Sequence, residues 1–261
     1  MTSLPILTSV LAFAQVASAA PPVPVEQDRL RVCLDEARTD PPTAITSASR
    51  WLNEANGAEA SLPQQCLGFA YTALLRWGAA EQAFIASRDL RPENDQLIRA
   101  RLGAMAGNAA LADERAPRAA ELFETAQFDA EAEGETQLAG QIAADRARAL
   151  VQSDRTEEAQ SVLEGAQVLA PQTADVWLLS ATLARRDGDI AKAAPMIEAA
   201  AKLAPDDPSI GLELGLIAAL AGDDEAARRS WQNVVSLAPQ SPQSQTARAY
   251  LARLDSPSEA Q

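Results

Sequence analysis

The sequence predicts an all-α fold in which helical hairpins stack one after another as a solenoid. Leu-Ala-Pro occurs at 169–171, 203–205 and 237–239, so its copies are 34 residues apart. Hydrophobic residues make up 47% of the chain but aromatic residues only 4%. Much of the hydrophobic content is alanine, the best helix former. A single hairpin cannot bury a wide apolar face, so a repeat of this length favours hairpins that cover one another.

The first 19 residues have the pattern of a cleaved signal peptide. No charged residue precedes Glu26, residues 4–16 are mostly apolar, and Ala17-Ser18-Ala19 has the small residues of a signal peptidase site. The apolar stretch is shorter than a membrane span, which needs about 20 residues. We expect cleavage after Ala19, a proline-rich linker over 20–27, and a periplasmic or secreted protein. The alternative is a buried N-terminal helix, which Pro5 and the proline-rich exit disfavour.

Two cysteines, Cys33 and Cys66, lie in the chain that export would leave. In an oxidising compartment such a pair predicts one disulfide, whereas a cytosolic location would leave two buried free thiols. Closing this loop adds about 3–4 kcal/mol of stability in the chain-entropy description.

The predicted solenoid covers 28–241. Its first helical pair lies near 26–56, and the hairpin over 95–139 is longer than the others by about five or six residues. Four copies are clearest, and they cover 61–94, 140–173, 174–207 and 208–241.

These copies share a frame of one small residue, one bulky residue four positions later, an alanine and a proline. The copy at 174–207 has Trp177, Gly188, Ala193, Ile197, Ala200 and Pro205, and the copy at 208–241 has Leu214, Gly215, Gly222, Ala227, Trp231 and Pro239. This frame resembles the tetratricopeptide repeat. The resemblance implies paired helices A and B, stacked as a right-handed superhelix whose concave face binds peptides.

The repeat frame also predicts where its helices begin and end. Gly188 and Gly222 are expected to turn the chain between helices, and the aspartates after them to cap the next helix. Pro195 falls inside a predicted helix B, where it removes a hydrogen bond and favours a kink. We expect a capping helix over 242–256 and a disordered tail over 257–261.

Charge and composition argue against several functions. The formal net charge is −14, from 36 acidic and 22 basic residues, which disfavours binding to nucleic acid or anionic lipid. Histidine is absent, which removes the commonest general base and metal ligand. Phosphate-binding loops, nucleophile elbows and zinc-ligand spacings are missing too. We therefore predict no enzymatic activity, no metal and no cofactor, and assign the acidic clusters to solvated turns.

The resemblance places the candidate site on the A helices. The lysine and asparagine positions that clamp chaperone tails in some family members are not matched here. Carrying over the family's groove positions gives eight candidates: Arg148, Gln152, Leu178, Thr182, Arg185, Arg186, Leu212 and Leu216. We hypothesise that the three arginines receive an acidic or C-terminal carboxylate, the alternative being ordinary solvated arginines.

The predicted function is a non-enzymatic scaffold or adaptor of the cell envelope that holds peptide segments of partner proteins. The alternative is a periplasmic holdase-like chaperone or assembly factor for exported proteins. Its partners would be other proteins, through peptide segments or C-termini, with no nucleic acid or small-molecule substrate, and no integral membrane span after signal cleavage.

Overall fold

In the computed structural model, residues 25–255 are described, and they form thirteen α-helices and one short 3₁₀ helix, Gly57–Ala60, without any strand. The α-helices are α1 Val25–Thr39, α2 Pro41–Glu54, α3 Ser61–Ala73, α4 Trp77–Asp89, α5 Gln96–Ala112, α6 Ala116–Glu133, α7 Thr136–Gln152, α8 Thr156–Leu169, α9 Ala174–Arg186, α10 Ile190–Leu203, α11 Pro208–Leu220, α12 Asp224–Leu237 and α13 Pro242–Asp255. The predicted all-α solenoid is confirmed.

The predicted signal peptide, 1–19, and tail, 257–261, lie outside the described residues. The predicted linker over 20–27 overlaps α1, because α1 begins at Val25. Two acidic residues in the first turn of α1, Glu26 and Asp28, stabilise the positive end of the helix dipole there.

Consecutive helices joined by short turns pack as antiparallel hairpins, and the hairpins stack along the chain. From α5 onward, each odd-numbered helix also packs against the next odd-numbered helix, whereas the even-numbered helices pack much less against one another. The odd-numbered helices therefore line the inner, concave face of the solenoid. Helix α13 packs on α11 and α12 at the C-terminal end.

Five hairpins pair a small residue on the odd-numbered helix with a large residue 16 positions later on its partner, and the two residues are in direct contact in the three glycine pairs. The pairs are Gly68–Phe84, Gly107–Phe123, Ala147–Leu163, Ala181–Ile197 and Gly215–Trp231. A Cβ atom on Gly68 would lie 2.5 Å from the Phe84 ring, and one on Gly107 would lie 2.7 Å from the Phe123 ring. Aromatic rings therefore pair with glycine, and the smaller aliphatic side chains pair with alanine.

We expect Gly107→Ala to destabilise the chain by about 1–3 kcal/mol, because overpacking against Phe123 outweighs the roughly 1 kcal/mol that alanine gains in helix propensity. Adding Phe123→Leu recreates the Ala147–Leu163 pair. The double variant should thus lose at least about 1 kcal/mol less than the sum of the two single variants, as measured by urea unfolding. Additive losses would show that the two side chains do not determine each other's size.

The turns inside these five hairpins place one residue each in the left-handed backbone region. The residues are Leu75 (φ 57°), Glu114 (φ 59°), Asp154 (φ 59°), Gly188 (φ 81°) and Gly222 (φ 85°). Glycine adopts this conformation without strain, whereas a leucine is strained in it by a close contact between Cβ and the backbone. The two glycines of the clearest repeats therefore turn the chain as the sequence predicts.

The aspartates after these glycines cap the next helix. The Asp189 carboxylate accepts a hydrogen bond from the Lys192 amide at 3.0 Å, and Asp223 accepts one from the Ala226 amide at 2.8 Å. The bond from the Lys192 amide is the main reason why the pKa of Asp189 lies below its usual value. Both caps agree with the sequence prediction.

Replacing Leu75 with glycine should stabilise the protein by about 0.5–1 kcal/mol, because relief of the left-handed strain exceeds the extra backbone entropy of glycine. Leu75 is 68% exposed, so little packing is lost. Leu75→Ala keeps the strain and serves as the control. Thermal unfolding of the two variants checks the prediction, and a gain in the alanine variant would contradict it.

Two features depart from the regular repeat. Helices α5, α6 and α7 contain 17, 18 and 17 residues, against 13 to 14 in helices α8 to α12. The extra turn accounts for the longer spacing between repeats in this region. Helix α10 contains Pro195 on its exposed side and does not end at this proline.

The predicted disulfide joins α1 to α3. Cys33 and Cys66 are bonded, with their Cα atoms 6.1 Å apart. Helix α1 packs on α2 and α3, and the disulfide adds a covalent link to α3 beside the buried Cys33 and Ala37.

Candidate functional site

Four of the eight predicted groove residues meet in one cavity of about 240 Å³ between α7 and α9. Arg148 and Gln152 come from α7, and Thr182 and Arg186 come from α9. The other lining residues are apolar, namely Ala147, Val151, Leu163, Leu179 and Leu183. The cavity thus combines an apolar floor with a polar rim on the concave face.

The cavity lies at the loosest seam of the described solenoid. Helices α8 and α9 pack against each other less than any other consecutive pair in residues 25–255. A second cavity, of about 260 Å³, lies on the other side of this seam among α8, α9 and α10. Leu163 and Leu183 line both cavities and separate them.

Arg148 is already bonded to two carboxylates of the same chain. Its guanidinium donates hydrogen bonds to Asp145, three residues earlier on α7, and to Asp175 on α9. Burial raises the pKa of the Asp145 carboxyl, and the positive charge of Arg148 partly offsets that rise. Arg148 therefore ties α7 to α9 at the rim of the cavity.

Arg185 lies outside the cavity and contacts the next helix of the inner face. Its Nε donates to Glu213 Oε1 at 2.6 Å and its Nη2 to Oε2 at 3.3 Å. Glu213 is only 7% exposed, so this bidentate ion pair is shielded from solvent. The lone acidic residue in the apolar helix α11 was a sequence signal for such a pair, since a buried carboxylate needs a partner.

Arg186 has the opposite environment. It is exposed on the rim of the cavity and makes no hydrogen bond or ion pair with other residues in 25–255. Of the three predicted arginines, it is the one whose guanidinium is unoccupied within the described part of the chain.

The three predicted leucines lie outside the cavity. Leu178 packs against the core formed by α9, α10 and α11. Leu212 and Leu216 pack against the core around Trp231 and Ala247, beside Tyr250 of α13. Helix α13 therefore covers part of the apolar end of the predicted groove.

Replacing Arg185 with alanine should cost about 3 kcal/mol or more in urea unfolding, because it leaves the Glu213 carboxylate buried without a partner. The neighbouring Arg186→Ala should change stability by less than about 0.5 kcal/mol. Combining Arg185→Leu with Glu213→Leu should recover most of the loss. Equal effects at 185 and 186 would contradict the assignment of Arg185 to a structural ion pair.

The sequence pattern of the tetratricopeptide repeat family matches residues 144–208 and 178–242. The stretch 144–242 consists of tetratricopeptide repeats. All eight predicted groove residues lie in the matched stretch, and the cavity between α7 and α9 is formed by two consecutive repeats of this family. No curated protein sequence matches the chain.

Solved structures share the fold of this chain. PilF of Pseudomonas aeruginosa is 15% identical, with a TM-score of 0.66 over 86% of this chain and 97% of that one. PilW, a type IV pilus biogenesis factor, is 16% identical, with a TM-score of 0.67 over 86% and 98%. YrrB, described as having an unusual peptide-binding site, is 16% identical, with a TM-score of 0.52 over 77% and 97%.

Two further features bear on the chemistry of the site. Residues 25–255 contain no group of three or more cysteine or acidic side chains arranged to hold a metal ion. In that same range, every helix is too short or too polar to cross a membrane.

Proposed function

We propose that this protein is a non-enzymatic scaffold or adaptor of the cell envelope that holds peptide segments of partner proteins on its concave face. The cavity between α7 and α9 is the observation that carries the proposal, because its apolar floor ends at an exposed, unpaired Arg186. Few precisely placed polar groups around an apolar pocket are typical of binding sites.

The environment of each arginine refines the three-arginine hypothesis. Arg185 serves the buried Glu213, so we assign the incoming carboxylate to Arg186, with Arg148 beside it. Arg148 already contacts Asp145 and Asp175, which leaves Arg186 to make the main charge-assisted bond. The apolar floor would hold one aliphatic or aromatic side chain of the same peptide.

An envelope location has two supports. Residues 1–19 have the pattern of a signal peptide, and a disulfide between Cys33 and Cys66 is typical of an oxidising compartment. PilW, which shares the fold, is described as a pilus biogenesis factor, a role that fits an assembly adaptor.

Two exposed residues favour the holdase-like alternative. Phe128 and Val168 are 69% and 80% exposed, and each follows the large residue of its own hairpin pair by five positions, on α6 and α8. Apolar side chains at equivalent positions of neighbouring hairpins could contact unfolded clients. Suppression of aggregation of unrelated unfolded proteins, lost in Phe128→Ser, would support this alternative.

We expect a photo-crosslinking residue at Gln152 to capture a specific partner in intact cells, and Arg186→Glu to reduce that adduct at least tenfold. The reduction follows from losing a charge-assisted hydrogen bond worth roughly 1.5–3 kcal/mol. Arg76→Glu is the matched control, because Arg76 is exposed and lies in the turn before α4. Adducts that survive Arg186→Glu, or that Arg76→Glu removes equally, would overturn the proposal.

A further inference from the structure

A larger cavity lies near the other end of the solenoid. It has a volume of about 650 Å³ and opens between α1, α3 and α5. Helices α3 and α5 make little direct contact with each other, and the cleft opens at this gap. Its apolar side chains are Leu30, Leu62, Ile98, Leu102 and Met105.

The cleft is positively charged although the protein is strongly acidic. Its charged residues are Arg91, Asp95 and Arg101. Arg91 Nη1 lies 3.3 Å from Asp95 Oδ2, and that pair is neutral overall. Arg101 is exposed and has no hydrogen bond or ion pair within residues 25–255, so it adds one uncompensated positive charge.

One nitrogen of the second guanidinium in the cleft also lacks a partner. The Nε atom of Arg91 is buried and has no hydrogen-bond acceptor in the structure. A buried donor without an acceptor costs free energy, which an incoming acceptor would recover. The donors of Arg91 and Arg101 thus favour a negatively charged group on the ligand. The five apolar side chains favour apolar groups on either side of that charge.

One wall of the cleft is held by the disulfide. Gln27 and Leu30 are the contributions of α1 to the lining, and Cys33 follows Leu30 by one helical turn. Helix α1 packs on both α2 and α3, and the disulfide adds a covalent link between α1 and α3. The Cys33–Cys66 bond therefore fixes the wall that α1 contributes relative to α3.

We propose that this cleft is a second binding site, which takes an extended peptide segment of another protein with a carboxylate between apolar side chains. The site is complete only while the disulfide is intact. Reduction by a dithiol, which is itself oxidised to a disulfide, converts Cys33 and Cys66 to two thiols and releases the wall that α1 provides. This site shares no residue with the cavity between α7 and α9 and stands independently of it.

The test uses the full oxidised chain and two fluorescein-labelled hexapeptides, Ser-Leu-Glu-Leu-Phe-Ser and its lysine counterpart, Ser-Leu-Lys-Leu-Phe-Ser. Fluorescence anisotropy should show that the glutamate peptide binds at least tenfold more tightly. Arg101→Glu should weaken its binding at least tenfold, whereas Arg50→Glu should not, because Arg50 is exposed on α2 outside the cleft. Reduction with dithiothreitol should weaken binding at least tenfold as well.

Circular dichroism of the reduced chain separates loss of the wall from loss of the fold, and Arg101→Glu tests the site with the disulfide intact. Equal binding of both peptides, no binding of either, or binding unaffected by Arg101→Glu would overturn the proposal. Binding that survives reduction would overturn its redox dependence. Binding lost in Arg186→Glu but kept in Arg101→Glu would sink this inference and leave the proposed function standing.

A second copy of the chain or its own N-terminal residues could occupy the cleft instead of a partner. Sedimentation that shows a dimer dissociated by Arg101→Glu, or peptide binding that strengthens at least tenfold when residues 1–24 are removed, would assign the cleft to those occupants and reject the proposal.

Discussion

The structure depends on one steric constraint, the pairing of a small residue on each odd-numbered helix from α3 to α11 with a large residue 16 positions later. A helix can approach its partner only as closely as these two side chains allow. Gly107 admits the Phe123 ring, and Ala147 admits the smaller Leu163. Each hairpin thereby keeps a similar spacing although its residues differ, and similar hairpins can stack regularly.

This constraint explains why the fold could be predicted from the sequence. Leu-Ala-Pro and the frame around it repeat every 34 residues in the last copies, so helix type, turn position and capping aspartates were all readable there. The longer α5, α6 and α7 obscured the same frame earlier in the chain. The 16-residue spacing is independent of these extra turns only because they lie outside the paired positions.

The site could be predicted only in part, because the side chain that each arginine contacts depends on which helix lies opposite. Position in the repeat placed Arg148, Gln152, Thr182 and Arg186 on the inner face, and the structure brings these four together. The same rule cannot tell Arg185 from Arg186, which are adjacent in sequence. Glu213, 28 residues later, decides the difference, and its relation to Arg185 follows from the stacking of α9 on α11.

The thin packing between α8 and α9 has a mechanical consequence. Leu163 and Leu183 line both cavities of this seam. A ligand that pushes these side chains out of one cavity therefore moves them into the other. The seam thus divides the solenoid into two more tightly packed segments, and the Arg148–Asp175 ion pair bridges it. We expect the solenoid to bend at this seam before it bends elsewhere, because fewer contacts would be lost there.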